Sequence, residues 1–536
     1  MIAPSVKTAE QYRAASARLR DFSLAQLYAH LPLRFPSHGG EDVPETFRAR
    51  GWYEYPGWAG LTAADALANA GALYIALHLI DFSPLRGELV ELRGIHVNGP
   101  GGTPFDPVAL FLCCLLRWEL QRGWGKLARF LASEEGACWR RLCGFEPGDT
   151  PSASVLRTAF HALGTAFHTD LCPRFIALLA ETGLLPPHDP HSDTPARDGL
   201  PVAVDGMLHD AHSTLKCSKV TDSCFAPPAA EQSRPCPARE AGKPGCACDT
   251  PACEQHCKRV TLRDPEARFI HYTGRNQEGE KDPRRERNVH GYRSYAHSWV
   301  DDELHTYWVG YCTVQPANTD ERVIFPADFT HVQRRLPQLP ISELVADAAL
   351  GYTACLELTY EAGAIPIIDI RSAPGDQDAE TCLFRGYDAQ GQPLCPHGFP
   401  LYFNGLDYER LRATWVCRQR CASSPEAQAT AECPYRDPER PCGMTKHVTT
   451  AFIHPDGSQH ARLARLFAVG SPTWQARYGS RRNATESRNS QIEGLDLKRI
   501  WSYGLAGATA DIAFADLLIN LRTLGRLVRQ ASALPD

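Results

Sequence analysis

The sequence predicts an α/β fold, a mixed sheet flanked by helices and preceded by a helical N-terminal region. Three observations carry this. Short apolar runs ending in or next to an acid recur at LPVAVDGM (200–207), ISELVADAALGY (341–352) and AGAIPIIDIR (362–371), as buried strands would. The stretch VALFLCCLLRWELQRGWGKLARFLASEEGACWRRLCGF has apolar residues at helical spacing. TADIAFADLLINLRTLGRLV (509–528) reads as a long apolar helix near the end of the chain.

In order along the chain, residues 1–98 form an extension with little pattern. Its most apolar window, LTAADALANAGALYIALHLI (61–80), is interrupted by Asp65, Asn69 and His78, so it reads as a buried helix rather than a membrane span. Residues 99–180 open with the turn-rich GPGGTPFDP and continue as helices; Ser152 or Ser154 is placed to cap the helix in DTPSASVLRTAF. Residues 181–199, ETGLLPPHDPHSDTPARDG, have the composition of a linker. Residues 200–530 then form the main domain, with two polar, cysteine-rich insertions at about 210–288 and 375–450. Between them, NVHGYRSYAHSWVDDELHTYWVGYCTVQPA (288–317) reads as two strands around an Asp-Asp turn.

The chain has 536 residues and a net charge of −6, which excludes a protein that coats nucleic acid by bulk electrostatics; DNA contacts would need local basic patches. The first residues show no signal-peptide pattern, so a cytoplasmic protein with no membrane association is expected. The 20 cysteines are clumped, which outside a secretory context suggests metal binding before disulfides.

Asp205 and Asp347, each following an apolar run, can converge across neighbouring strands. A third acid on a packed helix would complete an oxygen cage for a hard divalent cation such as Mg²⁺ or Mn²⁺. RRNATESRNSQIEG (481–494) offers two such acids, Glu486 and Glu493, about 10 Å apart along a helix axis. Geometry alone does not choose between them.

The order VAVDGM, HGYRSY, TYWVGYCTVQPANTDE, LVADAALGY, IPIIDIR, RYGSRRNATESRNSQ resembles the DDE transposases of bacterial insertion sequences, and the helical segment from GPGGTPFDPVALF to SASVLRTAF is similar to their N-terminal domain. The resemblance covers most of residues 99–530. It implies an RNase H-like catalytic core behind a helical DNA-binding domain, with cleavage of the DNA at each element end and transfer of the freed 3′ hydroxyl to target DNA by a two-metal mechanism. It selects Asp205, Asp347 and Glu486 as the metal-binding catalytic acids, with Asp369 the rival for the second position. Tyr478, Arg482 and Glu486 are spaced i, i+4, i+8 along one helical face, so Arg481 or Arg482 beside Tyr478 is placed to hold a DNA phosphate, with a solvated face as the alternative. In the family's position for recognising DNA ends, the N-terminal helices offer Arg122, Lys126 and Arg129, with plain surface charge on an amphipathic bundle as the alternative. Arg117, Arg140, Arg141 and Arg157 join that basic set, and the run KDPRRER (281–287) is a further candidate for tracking a phosphate backbone. Bringing two DNA ends together implies at least a homodimer. The DAALGY step departs from the family's Asp-x-Gly-Tyr, and Glu493 stands where some relatives have a lysine.

Cys417, Cys421, Cys433 and Cys442 have the donors for one structural Zn²⁺, with reduced free cysteines as the alternative. The group from Cys236 to Cys257, with His256, is spaced less regularly. Two other functions compete with transposition: a catalytically inactive, zinc-stabilised DNA-binding remnant, and a metal-dependent nuclease of the same fold.

Overall fold

A computed structural model of the chain describes residues 33–38, 47, 71–95, 103–185, 199–212, 216–217, 246–247, 264, 266–275, 281–302, 304–369, 402–407, 412–416, 445–449 and 472–532. Among the described residues, seven α-helices precede the main sheet: α1 (Ala72–Leu79), α2 (Arg86–Arg93), α3 (Pro107–Glu119), α4 (Trp124–Ala132), α5 (Ala137–Leu142), α6 (Ala153–His161) and α7 (Gly164–Glu181). Local chemistry sets their starts. Asp106 caps α3 by accepting from the Val108 amide at 2.9 Å, with Pro107 in the first turn where its missing N–H costs nothing. Ser152, one of the two serines read as possible caps, accepts from the Val155 amide at 3.4 Å and starts α6.

The main sheet contains β1 (Leu200–Asp210), β2 (Arg268–Arg275), β3 (Lys281–Asp301), β4 (Thr306–Pro316), β5 (Ile341–Ala346) and β6 (Ile365–Ile368). Strands β6, β5 and β1 are parallel neighbours, β1 pairs antiparallel with β3, and β3 pairs antiparallel with both β4 and β2. Helix α8 (Glu321–Arg335) links β4 to β5, and α9 (Thr353–Glu361) links β5 to β6. This is the mixed sheet flanked by helices that the sequence predicts. Two boundaries differ from it. β1 runs on past Asp205 because Gly206–Asp210 pair with Gly291–Tyr295 of β3, so the acid lies inside the strand rather than at its end. Residues 268–275 and 281–288, assigned from the sequence to the first insertion, form β2 and the start of β3, including the KDPRRER run.

Helix α10 (Pro472–Gly494) lies on the sheet, and α11 (Gly504–Ser532) joins it to the N-terminal helices. The Phe514 ring sits 5.5 Å from Phe111, 5.6 Å from Phe160 and 5.7 Å from His168. Asn520 accepts from the Val309 amide at 2.9 Å and donates to the Val309 carbonyl at 2.7 Å, completing the hydrogen bonding of a buried stretch of β4. At Gly525 a Cβ would stand 1.8 Å from the Ala72 carbonyl oxygen, so only glycine allows α11 to approach α1 this closely. The hydrophobic core is therefore continuous from Leu33 to Val528, and the helices of residues 71–95 belong to it. By length and composition Gly504–Gln530 is apolar enough to cross a membrane, but 83% of its apolar 18-residue window is buried within the fold, where it serves as the central core helix.

Candidate active site

Parallel pairing of β1 with β5 brings Ala203 opposite Val345. Asp205 and Asp347 each lie two residues further on, so two acids far apart in sequence leave neighbouring strands side by side. Beyond Ala203 and Val345 no further β1–β5 pairs form, and the site lies in this splay between the strands. Asp347 also caps the short helical turn Ala348–Leu350, accepting from the Ala349 amide at 2.9 Å.

Helix α10 covers the pair from one side. Arg482 places Nη1 at 3.1 Å from Asp205 Oδ2 and Nη2 at 4.0 Å from Asp347 Oδ2, so one guanidinium spans both carboxylates. Asn489, two turns later, donates from Nδ2 to the same Asp205 oxygen at 3.1 Å. Burial raises the Asp205 carboxyl above its ordinary range, with Arg482 opposing and Asp347 reinforcing the shift. Burial disfavours the charge on Arg482, but Asp205 and Asp347 outweigh it and hold the guanidinium more firmly protonated than usual.

The opposite side carries residues that the sequence did not single out. Alternation along β1 turns Gly206 away from α10, toward the start of α8. A Cβ at Gly206 would lie 2.8 Å from Glu321 Oε1, so the missing side chain makes room for the Glu321 carboxylate. Glu321 pairs with Arg293 Nη1 at 2.5 Å. Its carboxyl is pushed up to about 7, first by burial and then by Asp347, Asp205 and Asp320, with Arg293 opposing. Tyr295, opposite Gly206 in the register, is 1% exposed, and its phenol oxygen is buried without a hydrogen-bond partner. Burial raises the pKa of that phenol, and the charges of Glu321, Asp347 and Asp205 raise it further, so all three carboxylates lie within its electrostatic reach. A glycine inside an otherwise apolar strand was the one sequence signal that something approaches closely there.

Glu486 stands on the exposed face of α10 and borders a cleft of about 1460 Å³ shared with Asp301, Asp302, His305, Gln491 and Arg526. No ion pair or hydrogen bond joins it to Asp205 or Asp347. Among the described residues, no three His, Cys, Asp or Glu side chains stand close enough to hold one metal ion. Glu493 is also exposed and pairs with Lys498 at 2.8 Å. Asp369 follows β6 directly.

The arginines expected at DNA divide into two groups. Arg481 is buried; its Nη1 bonds to Glu343 and its Nη2 lies 2.7 Å from Asp302 Oδ2, so its charge is taken up within the fold. Arg477 bonds the other Glu343 oxygen, and Arg488 makes a two-pronged contact with Asp516, both bonds 2.8 Å, with side chains 1% and 0% exposed. Tyr478 stacks on Trp474 at 4.3 Å. On α4, Trp124, Leu127, Phe130 and Leu131 face the core, while Lys126 and Arg129 face outward. Arg122 is partly exposed, pairs with Glu135 at 3.1 Å and stacks on Phe130. Arg141 and Arg157 are exposed too, but Arg117 and Arg140 are not. Arg117 lies over Trp118 and Trp124, and Arg140 donates to the Leu131 and Ser133 carbonyls at the end of α4.

The candidate zinc ligands Cys417, Cys421, Cys433 and Cys442 lie outside the described residues. Of the first cysteine group only the backbone of Cys246 is described. The chain matches no protein-family model, no curated protein and no solved structure.

Proposed function

We propose that this protein is a DDE-type transposase, a metal-dependent polynucleotidyl transferase that cuts DNA at the ends of an insertion sequence and joins them to target DNA. The observation that carries the reading is the pairing of Asp205 with Asp347 at the splay of two parallel strands, under a helix that supplies Arg482 and Asn489. The sheet supports it too: apart from the additional strand β2, three antiparallel strands (β1, β3, β4), a helix, a parallel strand, a helix and a further parallel strand are the order expected of an RNase H-like core.

Asp205 and Asp347 offer carboxylate oxygens, the donors a hard divalent cation takes, and a guanidinium already stands between the two as an internal cation. Asp205 and Asp347 would hold Mg²⁺ or Mn²⁺, which when bound activates the attacking oxygen and neutralises phosphate charge. Asn489 fixes the orientation of Asp205. Arg482, once released from the carboxylates, is placed to hold a DNA phosphate through paired N–H donors. Glu486 is the acid the resemblance gives as third, and its exposed side chain borders the neighbouring cleft. The outward Lys126 and Arg129, with Arg122, form the basic strip proposed to meet the DNA ends. Joining two ends calls for at least a homodimer.

The test is purified protein with Mg²⁺ and DNA carrying the inverted repeats that flank the gene. Cleavage followed by joining is expected, with both lost in Asp205→Asn and Asp347→Asn. Cleavage without joining would instead identify a nuclease, and absence of cleavage an inactive DNA-binding remnant.

A further inference from the structure

We propose that the end of the sheet formed by the β2–β3 ribbon and the segment after α10 binds single-stranded DNA, with Phe269, Trp501 and Tyr503 stacking on unpaired bases and Arg499 meeting a phosphate. The inference takes its ligand from the DNA-processing reading above and adds where an unpaired strand is held. Three features carry it. First, β3 outruns its other neighbours: β1 ends opposite Gly291 and β4 opposite Tyr292, so Lys281–Val289 run on beside β2 as a two-stranded ribbon. Residues 268–275 and 281–291 of that ribbon carry six Arg or Lys against two Asp or Glu, a local net charge of +4 in a chain of −6. Second, every exposed aromatic side chain among the described residues belongs to this end of the sheet: Phe269, Tyr272, Trp501 and Tyr503, all at least 40% exposed. Phe269 stands opposite His290, whose carbonyl accepts from the Ala211 amide at 2.8 Å. The next ring, His212, lies 5.5 Å from Trp501 and 5.4 Å from Tyr503. The Leu505 amide donates to Glu266 at 2.7 Å, tying the segment after α10 to the start of β2, and the exposed Arg499 bridges to Asp210 at the end of β1. Third, the register puts Phe269 on the face of the candidate site. Phe269 pairs with His290 and Asp205 with Ala296, six residues apart on β3, which places them on one face about 20 Å apart. Wet aromatic rings beside cations have little to offer a duplex, whose base faces are hidden, but fit unpaired bases that stack while their phosphates meet the charges.

Fluorescence anisotropy of a labelled oligothymidylate with the full chain in EDTA tests this apart from any strand chemistry. Wild type should bind it more tightly than a duplex of equal length. Phe269→Ala and Trp501→Ala are each expected to weaken binding roughly five- to a hundredfold, the range one stacked base supplies. Phe269→Tyr and Trp501→Phe keep a ring to stack on and should retain most of the affinity. Arg499→Gln should lower the salt slope by about 0.7, the share of one phosphate on a single strand. Tyr272 lies on the opposite face of β2, so Tyr272→Ala should bind like wild type; a loss equal to that of Phe269→Ala would overturn the assignment to the Asp205 face. The proposal is overturned if Phe269→Ala and Trp501→Ala bind oligothymidylate like wild type, if the duplex is bound more tightly, or if wild type binds neither. Binding with the expected pattern but no DNA cleavage in Mg²⁺ would sink the transposase reading and leave this surface standing. Cleavage and joining by a protein whose aromatic variants bind the single strand unimpaired would do the reverse.

Discussion

Replacing Arg482 with methionine separates the two parts this side chain plays. Its guanidinium lies 3.1 Å from Asp205 and 4.0 Å from Asp347, and the Arg482 and Asp205 side chains are only 17% and 14% exposed. A charge pair at such a distance near a protein surface interacts by about 4 kcal/mol, and removing one partner of a well-buried pair costs roughly 3–5 kcal/mol. Residual exposure and proton uptake by Asp205, whose carboxyl already sits above its ordinary range, reduce this to about 2–3 kcal/mol. Urea unfolding at pH 7 in EDTA should therefore show Arg482→Met less stable by that amount. In Mg²⁺ the gap should close, because the variant offers the ion an uncontested pair of carboxylates; a ligand at 100 times its dissociation constant stabilises the native state by about 2.7 kcal/mol. Wild type should gain less, since its own arginine competes. An equal loss with and without Mg²⁺ would show that Arg482 is not standing in for a cation, and the case for the site would fail with it.

Other perturbations probe the frame around the site. Arg488→Met should cost roughly 3–5 kcal/mol in urea unfolding because it strands Asp516 at 0% exposure, and Arg488→Met with Asp516→Leu should recover most of the loss; an unrecovered double variant would refute this account of the pair. Asp328 is buried and accepts from Thr313 at 2.5 Å, and burial, opposed by that bond, raises its carboxyl to about 7, against about 3.9 in an unfolded chain. The folded state thus holds the proton more tightly, so Asp328 contributes fully below pH of about 4 and its contribution is lost as pH rises toward 7. The stability of Asp328→Asn relative to wild type should accordingly improve across that window, and a pH-independent difference would contradict the assignment. Lys126→Glu with Arg129→Glu should weaken DNA binding and reduce the salt slope by about 0.9 for each phosphate that is no longer neutralised. An unchanged slope in a binding titration would remove α4 from the DNA interface.

The strands were legible because burial on both faces gives nearly continuous apolar runs, and VAVD, LVAD and IPII all fall where strands form. The proximity of Asp205 and Asp347 needed only that two such strands be parallel neighbours. Glu321 was not legible, since an acid in the first turn of a helix is ordinarily explained by the helix dipole, and its partner Arg293 sits on another element. Arg481 read as a DNA contact because nothing local reveals the buried Glu343 beneath it; that acid lies inside ISELVA, where an ionised side chain in a buried strand was itself the unused clue. The start of β3 was missed because KDPRRER has no apolar alternation to betray a strand.

The arginines of α10 also bear on which acid completes the site. At 100° per residue, Arg477, Arg481 and Arg488 form one stripe, Arg482 and Asn489 a second, and Glu486 lies about 50° beyond the second. The first stripe is locked by Glu343, Asp302 and Asp516. Turning the helix to bring Glu486 over Asp205 would sweep those guanidiniums through an arc of about 5 Å at the outer radius of a helix, longer than any of their hydrogen bonds. Each broken buried pair would cost roughly 3–5 kcal/mol, several times what one added carboxylate contact at a partly wet site returns. Glu486 can therefore join the acids only through the reach of its own side chain from a helix that stays in place.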